Sequence, residues 1–183
     1  MALDAVLAGD GPECRARCHA APAHLAGGLM FAAPALGAAR AALNAWTTRA
    51  AGSSGRGALR LLGDADAQER FARTSVDVDS VELLLARAAE RADTADIDQG
   101  LVALNRRDAA LGVERLADAV DRLFGFGGAH MRGLDGDVQR RWRDVLTIAS
   151  HGALRREPAA AAYAQCIAGH PTAGTGPARK VEL

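Results

Sequence analysis

His151 is the residue of this sequence best suited to acid–base chemistry. It lies about two helical turns after Trp142, with Ser150 and Gly152 beside it. An imidazole titrates near neutral pH, so it can take up, release or share a proton under ordinary conditions. A histidine at this place is equally suited to capping the end of the helix before it. The sequence leaves both interpretations open, a site residue and a structural cap.

A basic and aromatic run comes before this histidine: Gln139-Arg140-Arg141-Trp142-Arg143-Asp144-Val145. Helical spacing puts Trp142 on the buried face and spreads the arginines over the other faces. Arg140 and Asp144 are four residues apart and are expected to form an ion pair, while Arg143 and Asp144 are expected to tie neighbouring helices together. The cluster is small, and the chain has 22 basic and 22 acidic residues, so no nucleic-acid partner is expected.

Three cysteines raise the question of a metal site. Cys14, Cys18 and His19 lie close together, and only His24 and Cys166 are suited to completing a ligand set. Zinc requires three or four convergent ligands. A disulfide framework needs an even and usually larger number of cysteines than the three present here. We therefore expect reduced thiols, no metal ion and a cytoplasmic protein.

The composition and the apolar spacing predict an all-α fold. Hydrophobic residues make up 49% of the sequence and aromatic residues only 4%, with alanine and leucine dominant, which favours helices over strands. Apolar residues at three- and four-residue steps predict an up-and-down four-helix bundle with a short fifth helix. The predicted helices cover residues 22–51, 64–93 and 98–125, then one that Asp137 caps, and finally 158–168. The bundle domain is predicted at 21–169, between an N-terminal arm at 1–20 and a disordered tail at 170–183.

The first predicted helix is apolar nearly all round, which predicts burial on most sides. Its Ala- and Gly-rich composition and the internal Pro34 favour a buried helix over a membrane span. One face carries Leu25, Leu29, Ala32, Leu36, Ala39, Leu43 and Trp46, and the other carries Ala26, Gly27, Ala33, Gly37, Ala38 and Ala41.

The second and third predicted helices are amphipathic. Leu83 and Leu84 are predicted to widen the apolar stripe of the second helix. Arg106, Arg107 and Asp108 are predicted to lie on the polar side of the third. Asp64 is predicted to cap the start of the second helix, since aspartate is a favoured N-cap.

Taken in order, these motifs resemble the C-terminal helical domain of the acyl-CoA dehydrogenase superfamily. The run from Gln139 to Val145, His151 seven residues after Asp144, and the helix opening at Glu157 resemble that domain, and more narrowly its two-component flavin-dependent monooxygenases. The resemblance covers roughly residues 20–168. We expect no counterpart in this sequence of the N-terminal helical domain and middle β-domain of that family.

The resemblance implies a flavin site with FMN or FAD as the cofactor. It implies that Arg73 meets a flavin phosphate, that Gly127 and Gly128 form a turn near the flavin, and that His151 faces the flavin and substrate pocket. A neutral histidine there is suited to deprotonating a phenol or to hydrogen-bonding a flavin peroxide. The substrate pocket would be lined by Trp142 and Ser150.

Three functions are therefore expected candidates. The first is a flavin-dependent oxidoreductase subunit of monooxygenase type in secondary metabolism. Acyl-CoA dehydrogenation is disfavoured, because the related dehydrogenases use a glutamate as base in this region and the nearest glutamate here, Glu157, begins the next helix. The second is a flavin-free biosynthetic bundle that binds a small apolar or aromatic molecule, with His151 as acid or base. The third is a non-catalytic partner of a full-length homologue. In related proteins such bundles pack together, which implies a homodimer or homotetramer.

Overall fold

The computed structural model describes residues 21–52, 63–126 and 136–169, and all regular structure in these ranges is helical. The predicted all-α bundle with a short last helix is confirmed, and the predicted bounds of the three long helices agree to within a residue. The helices are α1 (Ala23–Gly52), α2 (Ala65–Thr94), α3 (Gln99–Phe126), α4 (Asp137–Ala149) and α5 (Arg156–Gly169), with a 3-10 turn at Gly152–Leu154 between the last two.

Aspartate side chains begin two of the long helices. The Asp64 carboxylate accepts hydrogen bonds from the backbone N–H groups of Asp66 and Ala67 at 3.1 and 3.4 Å, which confirms the predicted cap. The Asp98 carboxylate accepts from the N–H of Leu101 at 2.6 Å at the start of α3. The prediction for α4 was wrong: Gly136 is the capping residue, and Asp137 is the first helical residue. Its carboxylate there complements the helix dipole.

Helices α1 and α3 form the centre of the bundle. Both contact α2 on one side and α4 on the other, and α5 packs on α3. The predicted inner face of α1 is confirmed, because every residue on it is buried or half-buried. The core contains Ala32, Ala35, Ala39, Ala42 and Trp46 of α1, Val78, Val81 and Leu85 of α2, Val113, Leu116, Val120 and Leu123 of α3, and Val138 and Val145 of α4.

Small residues let the two central helices approach closely. A Cβ atom placed on Gly28 would lie 2.8 Å from the Cβ of Ala109, closer than two carbon atoms can pack. Gly27, one position earlier, has no such neighbour within 4 Å. The α1–α3 contact therefore depends on glycine at one specific position of a glycine pair.

The outer face of α1, defined here by Ala26, Met30, Ala33 and Gly37, is exposed in the single chain. Met30 is 73% exposed, so the expected burial on nearly all sides is not reached by the described bundle alone. By length and composition only, Ala23–Thr48 would suffice to cross a membrane. Core helices of soluble proteins meet the same test, and the other face of α1 packs in the bundle core.

A buried polar cluster joins α2 and α3, and it corrects the predicted placement of Asp108 on the polar side. Asp108 is 2% exposed, and its carboxylate binds the guanidinium groups of Arg91 and Arg107. Asn105 is also buried; its amide donates to the carbonyl oxygens of Ala88 at 2.9 Å and Leu25 at 3.3 Å. The prediction failed because it assumed that a charged side chain lies on the solvent-exposed side of its helix. Here two arginines pair with the carboxylate inside the bundle, so its burial is tolerated.

The outer side of α2 departs from prediction at one position. Leu83 is 71% exposed, whereas Leu84 is half-buried beside Gly112 of α3. The buried stripe of α2 passes instead through Ala67, Thr74, Val78, Val81, Leu85 and Ala88. Arg156 of α5 hydrogen-bonds Glu114 of α3, and this bond raises the pKa of the Arg156 guanidinium above its ordinary value.

Candidate functional site

His151 lies between α4 and the 3-10 turn, with its side chain exposed. Its Nδ1 atom accepts a hydrogen bond from the backbone N–H of Ala153 at 3.2 Å, so the imidazole caps the turn that follows it. The ring also stacks on Phe31 of α1, with the two centroids 3.7 Å apart and the planes inclined by 24°. The histidine thus acts as a structural cap and still presents part of its ring to solvent.

The predicted lining of a substrate pocket, Trp142 and Ser150, makes structural contacts. The Trp142 indole donates to the Asp121 carboxylate at 3.1 Å and stacks on Phe124 with centroids 4.5 Å apart. The Ser150 hydroxyl donates to the carbonyl oxygen of Thr147 at 2.7 Å. These contacts fasten α4 to α3 and close the end of α4; the pocket role of both residues stays a prediction.

The ion pairs of α4 differ from the expected pattern. Asp144 pairs with Arg141 at 4.0 Å, three residues earlier, and the predicted partner Arg140 is exposed. Arg143 is also exposed, and among the described residues it forms no ion pair that ties helices together. The i,i+3 position competes with i,i+4 on a helix surface, and sequence spacing alone does not decide between them.

Arg73, the predicted phosphate contact, belongs to a different surface from His151. It lines a groove of about 590 Å³ between α2 and α3, and its guanidinium pairs with Glu69 on the same helix. The groove carries both basic and acidic side chains, and His151 is not among its lining residues. Gly127 and Gly128 lie outside the described residues. The described part of one chain therefore does not bring the predicted site residues together.

A second cavity, of about 650 Å³, lies where α1 and α3 begin and α5 ends. Its lining includes His24, Arg106 and Cys166, and the Cys166 thiol donates to the carbonyl oxygen of Gln99 at 3.8 Å. In the described ranges, no group of three or more His, Cys, Asp or Glu side chains is arranged to hold a metal ion. Cys14, Cys18 and His19 lie outside those ranges.

Gln139 is the one buried side chain of the described residues with an unpartnered polar atom. The residue is 6% exposed, and its Oε1 accepts no hydrogen bond. Such an acceptor costs about 1–3 kcal/mol relative to a hydrogen-bonded one. It lies on the first turn of α4, directly after residues 127–135 in the chain.

The Phe31–His151 contact was not predicted from the sequence. Phe31 belongs to α1, and its spacing places it beside the buried stripe of that helix. This spacing does not predict a contact with a residue between α4 and α5. Only the packing of α1 against α4 brings the two rings together.

Comparisons with known proteins place the chain in a family. Residues 29–156 match the family described as acyl-CoA dehydrogenase, C-terminal domain. No individual curated protein sequence matches the chain.

Three solved structures share the fold. The 3-HSA hydroxylase from Rhodococcus sp. RHA1 has 23% identity over 92% of this chain, with a TM-score of 0.79. The HsaA monooxygenase from M. tuberculosis has 25% identity over 85%, with a TM-score of 0.70. XiaF from Streptomyces sp., solved with FADH2 and glycerol, has 22% identity over 90%, with a TM-score of 0.73.

The chain spans less than half of each of these solved proteins, matching 45%, 42% and 43% of their lengths. The matched part is helical here, as the resemblance implied. Because the family match covers more than half of the 183 residues, this chain belongs to the acyl-CoA dehydrogenase C-terminal domain family.

Proposed function

We propose that this chain is the helical part of a flavin-dependent oxidoreductase of the monooxygenase type, acting in secondary metabolism, with His151 as its polar site residue. The observation that carries the proposal is the exposed imidazole of His151, held against Phe31 in a chain of this family. A pair of stacked rings at a surface suits a planar ligand, and the imidazole adds a hydrogen-bonding group. The similar structures, which include two proteins named as a monooxygenase and a hydroxylase, support the same class.

The described residues do not assemble a complete flavin site. Arg73 lies in the α2–α3 groove, where Glu69 offsets its charge, and His151 lies elsewhere. We infer that further contacts to FMN or FAD come from a second copy of this chain, which the purified protein can supply by self-association. The flavin would supply the redox chemistry, and this chain's part is to bind and orient.

Flavin titration of the purified chain tests the proposal. FMN, FAD and their reduced forms are added while absorbance and fluorescence are followed. We expect saturable binding that weakens in His151→Gln, because the imidazole hydrogen bond is lost, and in Arg73→Ala, because a cation is lost. Arg87→Ala is the matched control for Arg73→Ala, because Arg87 is an exposed arginine of α2 that lines neither cavity, and it is expected to bind as the unaltered chain does.

Absence of binding for every flavin form would overturn the oxidoreductase proposal for this chain. The flavin-free alternative, a bundle that binds a small apolar or aromatic molecule, would then be the favoured function. The cavity of about 650 Å³ favours that alternative, since it is large enough for such a ligand and its wall contains Ile97, Val102 and Ala162. It does not include His151, so the proposed acid or base would not act there.

We further propose that the chain forms a homodimer or homotetramer, or pairs with a full-length homologue, through the outer face of α1. This face is a row of small residues around Met30, which is 73% exposed. Small side chains let a second helix approach closely, and an exposed methionine adapts to many partner surfaces. The apolar composition of the whole helix is accounted for if a second chain covers this side.

The outer-face proposal predicts the effect of a charge at Met30. Met30→Lys is expected to lower the mass measured by sedimentation equilibrium to that of a single chain, since a desolvated lysine would oppose association. Val76→Lys is the matched control, because Val76 is 62% exposed on α2, away from this face. A chain that is monomeric without substitution, or a Met30→Lys variant that keeps its oligomeric mass, would contradict self-association through this face and leave pairing with a full-length homologue as the alternative.

A further inference from the structure

Two contacts restrain the His151 ring. Phe31 is half-buried and stacks on the imidazole at 3.7 Å between centroids, while the Ala153 N–H group donates to Nδ1 at 3.2 Å. An exposed side chain on its own would sample several rotamers. The stack opposes tilting of the ring and the hydrogen bond opposes its rotation, so the two contacts together favour one orientation of the imidazole.

The hydrogen bond also determines where the imidazole proton lies. A neutral imidazole carries one N–H group, and a nitrogen that accepts a hydrogen bond is the one without the proton. Because Nδ1 accepts from Ala153, the proton of the neutral ring is on Nε2. The other tautomer would point an N–H of the ring at the N–H of Ala153, and the cap would be lost.

We propose that Phe31 is a positioning residue for His151, and that the ring stack and the cap together hold the imidazole as an Nε2–H hydrogen-bond donor. The role of this donor in ligand binding rests on the proposed function. An Nε2–H group suits an oxygen acceptor on the ligand, such as a phenolate or a carbonyl. It does not suit removal of a proton from a phenol, because Nε2 is already protonated in the neutral ring. Of the two roles that the resemblance implied, deprotonation of a phenol is therefore the one that this geometry disfavours.

Imidazole nitrogen resonances of the full chain test this inference without any flavin. Spectra of ¹⁵N-labelled protein are recorded at alkaline pH, where imidazoles are neutral. The signals of His151 are assigned as those that disappear in His151→Gln. We expect the two nitrogens of His151 to show a single Nε2–H tautomer, and its ring protons to be shifted upfield by Phe31.

Variants of α1 then separate positioning from simple packing. Phe31→Leu is expected to give the averaged nitrogen shifts of a mobile histidine and to remove the upfield shift, whereas Phe31→Tyr keeps the stacking ring and is expected to restore the single tautomer. Asn44→Ala changes an exposed residue elsewhere on α1 and is expected to leave His151 unaltered. Circular dichroism shows whether each variant is folded.

Two results would overturn the inference. One is an Nδ1–H or averaged tautomer in the unaltered chain, which needs no variant to fold. The other is an unchanged single tautomer in folded Phe31→Leu, which would mean that the Ala153 cap suffices and Phe31 positions nothing. Neither result depends on flavin, so a chain with the expected tautomer that binds no flavin would count against the proposed function and not against this inference.

Discussion

Replacing Asp108 with alanine is expected to lower the free energy of unfolding by about 3 kcal/mol or more. The carboxylate is 2% exposed and binds two guanidinium groups, of Arg91 on α2 and Arg107 on α3. Removing one member of a buried ionic group leaves the other charges partly desolvated without a partner, which costs far more than losing a surface pair. The Arg91 and Arg107 side chains are only 19% and 27% exposed, so water replaces the carboxylate poorly.

The effect extends beyond one pair because the cluster joins several helices. Arg91 also donates to Asn105 at 3.2 Å, and the Arg107 guanidinium lies 4.2 Å from the centre of the Tyr163 ring on α5. We therefore expect Asp108→Ala to loosen α5 as well as the α2–α3 contact, which hydrogen exchange of α5 amides would show.

Urea unfolding followed by circular dichroism measures the loss. Glu69→Ala is the matched control, since Glu69 forms an exposed pair with Arg73 on the same face of α2 and is expected to cost less than about 0.5 kcal/mol. Asp108→Asn keeps the shape and one acceptor and is expected to fall between the two. If Asp108→Ala and Glu69→Ala lower the free energy of unfolding equally, the cluster is solvated and its burial does not stabilise the fold.

Periodicity predicted the helices of this chain well because it reports local geometry. The inner face of α1 and the bounds of α1, α2 and α3 follow from apolar spacing and from capping aspartates such as Asp64. Asp108 was misplaced because its burial is compensated by Arg91, seventeen residues earlier on another helix. The residue pattern of a single helix does not show which residue of another helix will form an ion pair with it after packing.

The candidate site was less predictable than the fold. The position of His151 between two helices was visible in the sequence, but its acceptor bond to Ala153 depends on a short 3-10 turn, and its stacking on Phe31 depends on α1 packing against α4. The expected grouping of His151 with Arg73 came from resemblance. In the described residues of a single chain these two residues line different surfaces, so that grouping stays a prediction for an assembly.

Substituting Gly28 with alanine is expected to destabilise the chain by about 1–3 kcal/mol, although alanine is the better helix former. The new Cβ would lie 2.8 Å from the Cβ of Ala109. Both atoms are attached directly to helix backbones, so no rotamer change relieves the overlap and α1 and α3 must move apart. Helix separation would also loosen the contacts of Leu25 and Ala32, which are buried on the same side of α1.

Gly27 provides the matched control because it lies in the same helix, one residue away, with no atom within 4 Å of an added Cβ. Gly27→Ala is expected to stabilise the chain by about 0.5–1 kcal/mol, since alanine loses less backbone entropy on helix formation. Thermal and urea unfolding of the two variants should therefore change in opposite directions. If both variants are stabilised, the close approach of α1 to α3 is wrong, because only that contact makes one glycine of the pair differ from the other.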